Sequence, residues 1–194
     1  DLMAGKDSGQ NVFMLTSFNP GSGKSFLAMN IAMSFAIKKK RILVIDGDLR
    51  HGSTSSYVDS PKTGLSDYLG NRVSDWKEII VKDEKYDNLH IIPIGTVPPN
   101  PTELLEDGKL ATLIEVLRSE YDYIFIDCPP IDIVADAQII EKLADRTVFV
   151  VRSGLLDRSM LPELENIYQE KRFKNLSVIL NGTESAGGRY GYRY

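Results

Sequence analysis

Apolar residues in this chain fall into short unbroken runs separated by stretches with helical spacing. The runs NVFMLTS (11–17), RILVID (41–46), LHIIPIG (89–95), YDYIFID (121–127), RTVFVVRS (146–153) and LSVILNG (176–182) read as strands. Their length and lack of alternation fit strands buried on both faces. Between them, apolar positions recur every three or four residues. SFLAMNIAMSFAIKKK (25–40) is the clearest helix, closed by three lysines where the helix dipole favours cations. Further helices are predicted over 103–119, 135–144 and 156–172, with short ones near 65–70 and 74–80. Strands alternating with helices predict an α/β domain, a mostly parallel central sheet flanked by helices. Ligands of such sheets bind beyond the carboxyl ends of the strands. Residues 1–10 read as a lead-in and 11–182 as the folded domain. From 183 onward Gly, Ser, Arg and Tyr replace the apolar period, which predicts a flexible tail. The polar stretch 52–87 reads as an insertion beside the site.

Composition narrows the function classes. The 194 residues are 42% apolar and 26% charged, a globular balance that excludes a disordered chain. A net charge of −4 argues against a general nucleic-acid partner. Cys128 stands alone, so no internal disulfide forms, which fits a reducing compartment. No apolar run approaches the ~20 residues of a membrane helix. Three of the nine tyrosines, Tyr190, Tyr192 and Tyr194, fall in the last five positions.

The strongest chemical signal is Pro20-Gly21-Ser22-Gly23-Lys24-Ser25, between the first strand and the first long helix. Glycines there let backbone N–H groups turn toward phosphate oxygens, and the helix N-terminus adds partial positive charge. Lys24 reaches the β- and γ-phosphates, and the Ser25 hydroxyl ligates Mg²⁺. Phe18 stands where the strict form of the pattern has Gly or Ala. Two strands end in acids: Asp46-Gly47-Asp48, followed by Leu49-Arg50, and Asp127, followed by Cys128-Pro129-Pro130. Asp127, after an apolar strand, takes the place of the acid that holds the Mg²⁺ shell. The extra Asp-x-Asp suggests a second task, either accepting a proton from a nucleophile or completing the metal shell. Arg50 and His51 read as solvated loop residues, and Cys128 as a small core residue.

TSFNPGSGKS, ILVIDGDLR and YIFIDCPP together resemble the bacterial tyrosine kinases, the ATP-binding modules of polysaccharide co-polymerases. These belong to the deviant P-loop NTPases, whose fold also serves partition and septum-site ATPases. The resemblance covers roughly residues 10–182. It implies an ATP- and Mg²⁺-dependent protein tyrosine kinase at the cytoplasmic side of the bacterial inner membrane, acting in exopolysaccharide and capsule synthesis. Its ATP site would comprise Asn19, Pro20, Gly21, Ser22, Gly23, Lys24, Ser25 and Phe26, with Arg152 and Asn181 near the base. Lys24, Asp46 and Asp48 would be catalytic, with Asp46 helping to deprotonate the acceptor tyrosine. Ser25, Asp48 and Asp127 would hold the metal. Tyr190, Tyr192 and Tyr194 would be the autophosphorylated cluster, offered in trans to a neighbouring copy. The implied partners are that tail, further copies in a ring formed by the full-length protein, and a transmembrane activator. The family's ring-forming helix motif would precede the first strand, where this chain has ten residues.

Two alternatives remain at this point. A partition-type ATPase switch would carry a signature lysine where Asn19 stands, which favours the kinase. A nucleotide-dependent assembly module without catalysis would share the same loop.

Overall fold

The computed structural model describes residues 9–131 and 135–183. Seven strands form one sheet: β1 (Val12–Thr16), β2 (Ile42–Asp46), β3 (Val81–Lys82), β4 (Leu89–Ile92), β5 (Tyr123–Asp127), β6 (Arg146–Arg152) and β7 (Ser177–Asn181). Their order is β3-β4-β2-β5-β1-β6-β7, and every pair is parallel except β3 with β4. Six α-helices accompany them among the described residues: α1 (Lys24–Ile37), α2 (Leu65–Leu69), α3 (Pro101–Glu106), α4 (Lys109–Glu120), α5 (Asp136–Glu141) and α6 (Leu161–Gln169). The expected mostly parallel α/β sheet is thus present.

The unbroken apolar runs arise because the central strands bury both faces. Every residue of β1, β2 and β5 is buried. Phe13, Leu15, Ile42, Val44, Tyr123 and Phe125 point to one side, where Ala28, Met29, Ala32 and Ala36 of α1 cover them. Val12, Met14, Leu43, Ile45, Ile124 and Ile126 point to the other, beneath α2 to α6. Small residues on α1 let that helix lie close to the sheet, which brings its N-terminus to the end of β1. Phe18 enters the second layer, 4% exposed, with its ring edge-on to Phe149 at 4.8 Å. An aromatic core contact therefore replaces the small residue of the strict phosphate-loop pattern.

Several boundaries differ from expectation. The helix predicted over 103–119 is two helices, because Gly108 at φ +82° turns the chain left-handed between α3 and α4. α1 stops at Ile37, and its lysines lie in the following turn, with Lys39 at φ +61°. The helix expected over 156–172 shortens to α6, preceded by a 3₁₀ turn at Arg158–Met160. Residues 74–80 form a 3₁₀ turn, Trp76–Ile79, rather than an α-helix. The two-residue β3 had no apolar run to announce it.

Candidate nucleotide and phosphotransfer site

Strand order assembles the three motifs. β5 lies between β1 and β2, with Leu15 and Asp46 both in register with Asp127. The phosphate loop leaving β1 and the two acidic strand ends therefore meet at one edge of the sheet. They border a cleft of about 500 Å³ lined by Pro20, Gly21, Lys24, Ser25, Asp48 and Pro129, among others. A larger concavity of about 810 Å³ lies elsewhere, beside Gln10, Asp145 and Lys174. It contains none of the motif residues, so the chemistry belongs to the smaller cleft.

The loop owes its shape to its glycines. Gly21 and Gly23 have φ of +73° and +93°. The Ser17 and Ser22 hydroxyls each donate to the Asn19 carbonyl at 2.8 Å, drawing the turn closed. Two further bonds come from across the sheet. Arg152 Nη1 donates to the Gly21 carbonyl at 2.7 Å, and Asn181 Nδ2 to the Ser22 carbonyl at 3.0 Å. Arg152 and Asn181, paired in register at the ends of β6 and β7, thus brace the phosphate loop. A side chain on Gly23 would put its Cβ 2.3 Å from Asn181 Nδ2. Steric conflict joins a backbone conformation that costs L-residues roughly 1–3 kcal/mol. Gly23→Ala is therefore expected to weaken nucleotide binding about tenfold or more, measured by titration with a fluorescent nucleoside diphosphate. Unchanged affinity would show that the loop adapts at no cost.

Lys24 is 9% exposed and donates from Nζ to Ser17 Oγ at 3.2 Å. Burial lowers its pKa, while the negative charges of Asp127 and Asp48 oppose that shift. Asp127 is 2% exposed. Its Oδ2 accepts from Ser25 Oγ at 2.5 Å and from Thr54 Oγ1 at 2.6 Å. Its Oδ1 is buried without a hydrogen-bond partner among the described residues. Burial raises the Asp127 pKa, against the hydrogen bonds from Ser25 and Thr54 and the charge of Lys24. A buried carboxylate oxygen lacking a donor is costly unless a cation or its water shell completes it. With the Ser25 hydroxyl and Asp48 nearby, this oxygen-only donor set suits a hard divalent cation such as Mg²⁺.

Asp46 is fully buried. Its Oδ2 accepts from Ser55 N and Ser55 Oγ, both at 2.7 Å, and its Oδ1 accepts from Asp48 N at 3.3 Å. Burial pushes its carboxyl up to about 7, with Asp127 and Asp48 adding to the rise and the Ser55 bonds opposing it. Asp48 lines the cleft, with its carboxylate 3.2 Å from His51 Nδ1. Gly47 permits this tight passage, since a Cβ there would lie 3.0 Å from the Asp127 carbonyl and from Ile140.

Arg50 is an exposed loop residue, as expected, yet it has fixed partners. Its Nε pairs with Asp136 Oδ2 at 3.2 Å, and its Nη2 donates to Thr102 Oγ1 at 3.0 Å. Thr102 in turn donates to Asp136 Oδ1 at 2.6 Å. Arg50 thereby ties the acidic loop to α3 and α5. His51 is exposed, as expected, apart from its contact with Asp48. Cys128 is a buried core residue, also as expected. The Phe26 side chain is 58% exposed on the first turn of α1. Ser17, Thr54, Ser55, Thr102 and Asp136 escaped the sequence reading. The run Ser53-Thr54-Ser55-Ser56 carried the available signal, four small hydroxyls just after the acidic motif. Ser53, Thr54 and Ser55, at the start of the stretch 52–87, are therefore part of the site, while Val81–Lys85 lies apart from it. Tyr190, Tyr192 and Tyr194 lie outside the described residues.

A phosphate loop after the first strand, with acids ending the neighbouring strands, defines a P-loop nucleotide-binding domain. The AAA domain family matches residues 11–153. The chain is 35% identical over 182 residues to tyrosine-protein kinase CpsD of Streptococcus pneumoniae, covering 93% of this chain and 79% of that one. It is 36% identical over 192 residues to the putative tyrosine-protein kinase EpsB of Ralstonia solanacearum, yet spans only 25% of that protein's length. Among solved structures, the kinase domain of the Escherichia coli tyrosine kinase ETK superimposes with a TM-score of 0.84 at 31% identity, covering 97% of this chain and 74% of that one. The septum-site-determining protein MinD of Pyrococcus horikoshii, at 22% identity, a TM-score of 0.72, and 88% and 70% coverage, shares the fold alone. The chain belongs to the bacterial tyrosine-protein kinases.

Proposed function

We propose that this domain transfers the γ-phosphoryl group of ATP to tyrosine hydroxyls, beginning with Tyr190, Tyr192 and Tyr194 of a neighbouring copy. Through that reaction it would regulate exopolysaccharide and capsule synthesis and export. The observation that carries the reading is the register of β1, β5 and β2, which gathers Lys24, Ser25 and Asp48 around one cleft, with Asp127 behind them bonded to Ser25.

In this reading the loop from Asn19 to Ser25 holds the phosphates through its backbone N–H groups. Lys24 neutralises charge building on the transferring phosphoryl group. Ser25, Asp127 and Asp48 would hold Mg²⁺, which, when bound, offsets phosphate charge and orients the nucleotide. The tyrosine oxygen bonds to the γ-phosphorus as the bond to the ADP oxygen breaks. The phenolic proton passes to the Asp46–Asp48 pair. Asp48 is the member lining the cleft, and Asp46 sits behind it, its carboxyl pushed up to about 7 by burial. Arg152 and Asn181 hold the loop and lie where the base would rest. The family's ring assembly and transmembrane activator would bring tails to active sites. Among the described residues no helix is long and apolar enough to cross a membrane.

Incubation with ATP and Mg²⁺, alone and with the activator segment fused, followed by mass spectrometry of the C-terminal peptide, tests the proposal. Phosphate is expected on the cluster. Phosphate release into solution without tyrosine labelling would instead identify a partition-type switch.

A further inference from the structure

Thr54 lies in a segment with no assigned role, 73 residues before Asp127 in sequence, yet its hydroxyl reaches that carboxylate. It is fully buried, so its hydroxyl has no water to bond with and its single proton is committed. Ser25 donates to the same oxygen, Oδ2. Two donors on one oxygen fix the carboxylate plane and define the other oxygen, Oδ1, as the bare one. The Ser25 hydroxyl can keep donating its proton to Asp127 while its oxygen lone pairs face a cation. Ser25 alone would nevertheless leave the carboxylate able to turn about its bond to Cβ.

The position of Thr54 is itself determined. Gly52 turns left-handed at φ +62°, and a Cβ there would lie 2.7 Å from Ile94. The next residue, Ser55, grips Asp46 through its N–H and hydroxyl and accepts from Ile94 N at 2.8 Å. Consecutive residues at the start of a 3₁₀ turn (Ser55–Val58) thus hold the two acidic strand ends, one each.

From this geometry we propose that Thr54 is a positioning residue for the Mg²⁺ site, acting through Asp127. Its hydroxyl keeps Oδ2 occupied so that Oδ1 is the oxygen presented to the cation or its water shell. This inference rests on the Mg²⁺ site proposed above. Partners that orient metal ligands typically contribute 10–100-fold to metal affinity.

The test uses the full chain and a fluorescent ADP analogue, titrated in EDTA and again across a Mg²⁺ series. Thr54→Val removes the hydroxyl and keeps the branched shape, whereas Thr54→Ser keeps the hydroxyl. Thr54→Val is expected to need about tenfold more Mg²⁺ to reach the high-affinity state, with affinity in EDTA and thermal melting close to the parent's. Thr54→Ser is expected to restore the parent's Mg²⁺ dependence. A Thr54→Val protein with the parent's Mg²⁺ dependence would overturn the proposal. So would equal losses with and without Mg²⁺, which would mark Thr54 as a packing residue. A parent protein whose nucleotide affinity ignores Mg²⁺ would overturn the metal site itself, and this inference with it.

Discussion

Lys24→Met is expected to abolish tyrosine phosphorylation while leaving the fold intact. Methionine matches the length of the lysine stem, so the buried volume around Ser17 and the start of α1 is conserved. What disappears is the one ammonium that, among the described residues, lines the cleft, and it interacts with the charges of Asp127 and Asp48. A donor positioned where transition-state charge develops contributes on the order of 10²–10³ in rate. Phosphotyrosine formed with ATP and Mg²⁺ should fall by at least that factor, while the circular dichroism spectrum stays that of the parent. Retention of more than about a tenth of the parent rate would remove Lys24 from the phosphotransfer step. Lys24→Arg is not a rescue, because Lys24 is only 9% exposed and its packed surroundings have no room for a wider guanidinium.

The second large effect concerns stability and pH. Burial holds the Asp46 carboxyl up near 7, while in the unfolded chain it returns to about 3.8. Below pH 3.8 both states are protonated and Asp46 makes no pH-dependent contribution. As pH rises toward 7 the unfolded chain releases the proton and the folded protein retains it, so stability falls across this window. Above about 7 the loss is complete. At about 1.4 kcal/mol for each pH unit of that window, the full effect is about 4 kcal/mol. Asp46→Asn removes the charge and keeps an oxygen for Ser55 to donate to. The melting temperature of the nucleotide-free variant should therefore exceed the parent's by an amount that grows between pH 5 and pH 8. The same variant should bind nucleotide but lose tyrosine phosphorylation. Calorimetry at the two pH values checks the first statement, and a gap that shrinks with rising pH would refute it. Gaining stability by disabling the site is the usual exchange when function requires buried charge.

The fold was legible in the sequence where burial is two-sided. β1, β2, β4, β5 and β6 fall inside the apolar runs because they are largely buried, whereas β7, at the sheet edge, carries its run with Val178 and Leu180 more than half exposed. The break at Gly108 was hidden because a lone glycine within a stretch of helix formers is read as tolerated inside one helix. Contiguous motifs announced the phosphate loop and the two acidic ends, since a few adjacent residues make each of them. The hydroxyls that orient those acids, and the Asp136 that holds Arg50, lie 9 to 86 residues from their partners. No local pattern encodes such a pairing; strand order creates it. The ion pair of the exposed Arg50 was hidden because the carboxylate it meets belongs to α5. Burial was equally hidden for Asp46, as an aspartate at a strand end can face solvent or core.

The alignment of Asp46 and Asp127 across β2 and β5 governs which changes of length the gene can absorb. Side chains alternate between sheet faces, so one residue inserted within either strand would turn its acid away from its partner and reverse the strand's core packing. Within β1, β2 and β5, single-residue insertions and deletions should therefore be far more damaging than most substitutions. The exposed turn around Asp83–Lys85 touches none of the motif residues, and its length should be free to vary. An insertion scan of the gene would then read as a map of the sheet, with silent segments marking the loops and three short intolerant blocks marking the strands that carry the site.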